Sequence, residues 1–160
     1  MVVLIIVLIT LSLMGSALWI MPPKQERRRM ALRMFARKHN LIVQLTSIGL
    51  PDKWDKSKEV HKVCSYAHYR AKSLPITTEK VLLLTYDVWK YHQAAPGWWS
   101  SKALPLCDKD KAQLALLLPL VRAIEITRES VVVYWDEAGA EESVELMSEL
   151  LPSLASISLV

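Results

Sequence analysis

Residues 2–21 show no alternation of apolar and polar positions. The run carries no charge, and its polar side chains are Thr10, Ser12 and Ser16. At about 1.5 Å of rise per residue, a helix of this length just crosses a hydrocarbon core of about 30 Å. The segment predicts a membrane anchor over residues 1–21. A cleaved signal peptide fits less well, since no basic residue precedes the apolar run and a cut after Ala17 would leave Leu18, Trp19, Ile20 and Met21 at the new end. Pro22 and Pro23 then end the helix.

Downstream the pattern becomes periodic. Residues 24–39 suit a basic helix, with Met30, Ala31, Met34 and Phe35 forming an apolar stripe expected to pack on the domain that follows. His39 and Asn40 mark its end. Residues 41–48 read as a strand with Leu41, Val43 and Leu45 on one face, followed by an exposed loop over 49–59 around Trp54. A second, partly exposed strand is expected over 61–71. Residues 80–91 read as one central strand, with Val81, Leu83, Thr85, Asp87 and Trp89 on a common face. The irregular stretch 92–106 contains Pro96-Gly97, Trp98 and Trp99, adjacent indoles that either stand exposed as anchors for a partner or fold back to cap a sheet edge, the preferred reading.

Asp108 or Asp110 is the expected cap of a helix reaching Leu118, ended or kinked by Pro119; alternatively that helix continues toward Arg122. Residues 123–135 predict two strands joined at Arg128, Glu129 and Ser130, and residues 136–139 a turn. A final helix is expected over 141–151, stopped by Pro152. Leu154, Ala155, Ile157, Leu159 and Val160 would follow as an apolar tail. The fold class predicted is therefore a single N-terminal transmembrane helix (1–21), a basic juxtamembrane helix (22–40) and a small α+β domain (41–160) with a mainly antiparallel sheet and packing helices.

Charge decides orientation. Lys24, Arg27, Arg28, Arg29, Arg33, Arg37 and Lys38 follow the apolar run against the single acid Glu26. Basic residues flanking a spanning helix stay on the cytoplasmic side, so the domain is expected in the cytoplasm beneath an inner membrane. Lys24, Arg27, Arg28, Arg29, Arg33 and Arg37 are the candidate contacts with lipid headgroups. From Asp136 onward the chain has six acids and no Lys or Arg, so the overall charge of +4 conceals a basic collar and an acidic tail. That collar, next to the anchor, argues for membrane lipid rather than nucleic acid as its partner.

Chemistry is sparse. The spacing of His61, Cys64 and His68 uses zinc donors, yet in a strand His61 faces away from the other two and no second ligand pair lies close. Cys64 and Cys107 form no disulfide framework and lack an activating motif. Glu125, Asp136 and Glu137 look like strand exteriors and turns. The four glycines are isolated, which excludes a phosphate-binding glycine loop. No catalytic residue, metal or cofactor is expected, and the chain reads as a non-enzyme.

What remains is docking. The expected function is a membrane-anchored accessory or scaffold subunit of a bacterial inner-membrane assembly, presenting its domain to a cytoplasmic or inner-membrane protein. Trp54, Trp98, Trp99, Leu154 and Ile157 are the candidate partner contacts. The alternatives are an anionic-lipid-sensing surface protein, a DNA-associated membrane tether, and a small hydrolase or transferase with a Cys/His site.

Overall fold

The computed structural model describes residues 1–75 and 79–158, and divides into two compact units, Met1–Ala31 and Leu32–Val160. Leu159 and Val160, the end of the expected apolar tail, lie outside the described residues.

The first unit is dominated by helix α1, Val2–Trp19, whose side chains are all exposed. It is long and apolar enough to cross a membrane by length and composition. Its hydroxyls turn back on its own backbone: Thr10 Oγ1 donates to the carbonyls of Ile6 (3.0 Å) and Val7 (2.9 Å), and Ser16 Oγ to that of Leu13 (2.9 Å). Polar groups bonded in this way need no water, as a lipid surrounding requires. Helix α2, Lys24–Lys38, begins in this unit, where the Pro23 carbonyl accepts from the amides of Glu26 and Arg27.

The second unit starts with the last turns of α2. Leu32 and Ala36 are buried and Phe35 partly so, while Met30 and Met34 are exposed. The helix does present an apolar face to the domain, but the i, i+4 pair Leu32 and Ala36 makes it rather than the methionines. The helix ends as the sequence suggests. Asn40 adopts a left-handed conformation (φ 60°), its amide donates to Arg37 O, and the amide of buried Leu41 donates to Ala36 O. This double bond to the last carbonyls is a Schellman closure with its apolar residue seated just beyond the turn.

A seven-stranded antiparallel sheet follows. Its strands are β1 (Ile42–Pro51), β2 (Lys58–Tyr69), β3 (Val81–Leu84), β4 (His92–Ala95), β5 (Trp98–Ser100), β6 (Val121–Ile126) and β7 (Ser130–Trp135), in the order β1-β2-β7-β6-β3-β5-β4. Helices α3 (Asp108–Leu117) and α4 (Glu141–Ser156) supply Leu114, Leu117, Val144, Met147, Leu150, Leu151 and Leu154 to the main core, against Cys64, Tyr66, Leu83, Ile124, Val133 and Trp135 of the sheet. The alternate residues Ile48, Leu50, Val63, Leu84 and Ala123 form a second cluster on the opposite face, completed by Val88 from the loop after β3. Both faces of β2 are thus covered over residues 63–67, while residues 58–62 and 68–69 are wholly or partly exposed, so the strand is partly exposed as its mixed pattern suggests.

Four further expectations are corrected. The run 80–91 pairs only as far as Leu84; it then turns, with Lys90 at φ 69° and Val88 folded back into the second cluster. The stretch 92–106 contains the β4–β5 hairpin, turned by Gly97 at φ 78°, where an added Cβ would lie 2.7 Å from Leu118 Cδ2. Cys107, not Asp108 or Asp110, caps α3, its Sγ accepting from Asp110 N at 3.4 Å. Finally, α4 continues through Pro152 to Ser156. The missing proline N–H and the ring clash cost about 3 kcal/mol in a helix interior, and burial of Leu150, Leu151 and Leu154 around it offsets that loss.

Candidate docking surface

The β1–β2 hairpin closes through Asp52. Its carboxylate accepts from the amides of Lys56 (2.8 Å) and Trp54 (3.2 Å) and from Ser57 Oγ (3.0 Å), while Asp55 takes a left-handed conformation at φ 54°. The bond from Lys56 N, with those from Ser57 and Trp54, holds the Asp52 carboxyl below the usual range. A flexible-looking polar loop is therefore a built turn that fixes the base of Trp54.

The loop after β3 braces it from the side. Tyr86 OH donates to Pro51 O (2.6 Å), and Trp89 N donates to Lys53 O (2.8 Å). Val88, buried in the second cluster, pins this loop to the sheet. Trp54 and Trp89 consequently stand on adjoining loops, 64% and 57% exposed. Lys90 Nζ lies 4.3 Å from the centroid of the Trp89 ring, a cation–π contact. Lys53, Lys56 and Lys58 are exposed around the pair. Beside them lies a groove of about 460 Å³ lined by Asp52, Lys53, Glu59, His61, Tyr86 and Arg122, among others.

The expected partner contacts do not come together. Trp54 is on this surface. Trp98 is fully buried, its Nε1 donating to Leu114 O (2.8 Å), and Leu154 is also fully buried. Trp99 is half-buried opposite Leu84 and Gln93, and Ile157 is half-buried at the end of α4. Trp89 was missed because residues 80–91 read as one strand. The signal was present, since Asp87 and Lys90 are poor residues for a strand covered on both faces.

Lys24, Arg27, Arg28 and Arg37 are exposed and Arg29 half-exposed, whereas Arg33 departs from the headgroup-facing set. Its Nε and Nη2 donate to Glu137 Oε1 and Oε2, both at 2.7 Å, and Tyr66 OH donates to the same Oε1 at 3.0 Å. Glu137 is buried and holds a left-handed backbone (φ 57°), so the expected surface turn carries the acid that fastens α2 to the domain. Burial pushes its carboxyl pKa up, but the bonds from Arg33, Tyr66 and Cys64 outweigh burial and leave it lowered. Burial first, and then the Glu137 charge, raise Tyr66 and push the Cys64 thiol up to about 12. Cys64 is thus held as a thiol beside a carboxylate, the reverse of what activates a nucleophile.

Cys64 and His68 sit four residues apart along β2, about 13 Å at strand rise. Cys107 is exposed at the start of α3. Among the described residues no group of three His, Cys, Asp or Glu side chains could hold a metal ion.

No family model matches the chain, and no curated protein does. Among solved structures, the crystal structure of the mycobacterial trehalose monomycolate transport factor A, TtfA, is similar at 11% identity and a TM-score of 0.37, over 78% of this chain and 93% of that one.

Proposed function

We propose that this chain is a membrane-anchored accessory or scaffold subunit of a bacterial inner-membrane assembly, with its α+β domain in the cytoplasm and the Trp54–Trp89 surface as its docking site. The observation that carries this reading is the pair of exposed indoles on mutually braced loops. Indoles left in water cost free energy, and preorganised loops lower the entropic cost of binding. Tryptophan is also among the residues that dominate binding energy at protein interfaces. The partner is a cytoplasmic or inner-membrane protein with an apolar pocket for the indoles and carboxylates to meet the surrounding lysines. The apolar α1 and the basic residues after it supply the attachment and its orientation. Tethering confines the domain near the membrane and raises the effective concentration of partners held there.

A photocrosslinking amino acid placed at position 54 or 89 of the full-length chain in cells tests this. The expected result is one protein captured from both positions and absent when the probe sits at exposed Lys109 on α3. Capture of lipid alone, or of the same proteins from every position, would overturn it.

A further inference from the structure

The two edges of the sheet are built differently. β4 spans only His92–Ala95, carries an irregularity between Gln93 and Ala95, and is followed by Pro96. Those are the devices that keep a sheet edge from pairing with another chain. β1, at the other edge, is ten residues long and pairs with β2 in unbroken register from Ile42 to Pro51. Its sequence, IVQLTSIGLP, contains no charge, and its single proline is the final residue.

The middle of β1 is also uncovered. Residues 44–47 are all exposed, with Leu45 74% exposed and Ile42 48%. β2 is the element that packs along it. Among the described residues, the hydrogen bond reaching β1 between Ile42 and Leu50 from outside the β2 ladder is that of Ser65 Oγ to Gln44 O, and it too comes from β2. Alternate residues of an antiparallel edge strand point their N–H and C=O groups outward, so this edge offers a free backbone ladder.

We propose that β1 pairs antiparallel with β1 of a second copy of this chain, joining two sheets across a two-fold axis near Leu45. Only an extended strand satisfies such a ladder, and a neutral strand can face itself without opposing like charges. Leu45 and Ile42 gain cross-strand apolar neighbours in the pairing. One ladder buries less than a standard stable interface. The shared membrane compensates, because the α1 anchors hold the copies in one plane at high effective concentration. This interface is separate from the Trp54–Trp89 surface and stands or falls without it.

The test uses full-length chains carrying two different tags, co-expressed, crosslinked in the intact membrane and only then recovered in mild detergent. Wild-type copies are expected to copurify. Gln44→Lys/Thr46→Lys in both copies should reduce copurification by about fivefold, equivalent to about 1 kcal/mol. Pairing that variant with a Gln44→Glu/Thr46→Glu copy should restore it, which a merely misfolded variant could not do. Wild-type copies that do not copurify, copurification indifferent to these charges, or loss without charge-swap rescue would each overturn the proposal.

Discussion

Arg33 and Glu137, 104 residues apart in sequence, meet in a two-pronged ion pair with both N···O distances at 2.7 Å. The carboxylate is almost completely shielded, with its side chain 3% exposed, whereas the guanidinium is 28% exposed. The pair ties the last turns of α2 to the segment between β7 and α4, and Tyr66 of β2 locks the carboxylate from the sheet. It makes the end of the basic helix a part of the domain.

Removing one partner of a buried pair leaves the other uncompensated, at a cost of about 3 kcal/mol or more. Glu137→Gln and Arg33→Ala should both lower the denaturant midpoint, and the double variant should cost less than the sum. The pH dependence follows from the lowered Glu137 pKa. Its contribution is complete above the unfolded carboxylate value of about 4.3 and disappears as pH falls through the lower folded value. Wild-type stability should therefore fall across that acidic window more steeply than Glu137→Gln stability. Equal slopes in acid would contradict this role.

Cys64 is buried and its thiol pushed up to about 12, whereas Cys107 is exposed. A thiol reagent at neutral pH should label one cysteine per folded chain and the second only after denaturation. Peptide mapping should place the fast site at Cys107. Rapid labelling of Cys64 in the folded protein would show that the buried cluster opens readily.

The tryptophans should separate by stability. Trp98→Ala removes a fully buried ring and its bond to Leu114 O, and should cost about 3–5 kcal/mol in chemical unfolding. Trp54→Ala removes a mostly exposed ring and should fall within about 0.5 kcal/mol of wild type. A large loss at Trp54 would mean that the indole supports the hairpin rather than presenting a surface.

Pro152 lies inside α4 on its exposed side. Pro152→Ala restores a backbone donor and relieves the ring clash, and should stabilise the domain by roughly 1–3 kcal/mol. Leu154→Ala, two residues on in the core, should destabilise by about 2–5 kcal/mol. Thermal unfolding of the two variants should move in opposite directions.

These contrasts also mark how far the sequence could be read. The apolar helix, the basic helix ending at Asn40, and the strands β1, β2, β6 and β7 were legible because period and turn residues agree there. Residues 80–91 misled because their apolar character continues past Leu84 with no Gly or Pro to mark the break, and only the fold makes Val88 a loop anchor. Pro152 is a local stop signal overruled by the burial of Leu154. Cys107 lies outside the usual capping residues. Nothing near Glu137 announces a partner 104 residues away, and so the buried pair was invisible. Trp54 was legible as a surface residue through its charged neighbours. Trp89, its companion, is marked in the sequence only by the polar Asp87 and Lys90 beside it, and the Lys53–Trp89 backbone bond that joins the two loops leaves no local trace.

The most direct test of the docking account compares tagged full-length wild type with Trp54→Ala/Trp89→Ala. Both are purified in mild detergent after in-cell crosslinking, with mass spectrometry of everything held in stoichiometric amount. The account predicts a reproducible protein partner for wild type and its loss, by about tenfold or more, from the double variant, while the domain's melting temperature is unchanged. A wild-type chain that carries no protein partner, or a partner retained by the double variant, would contradict it.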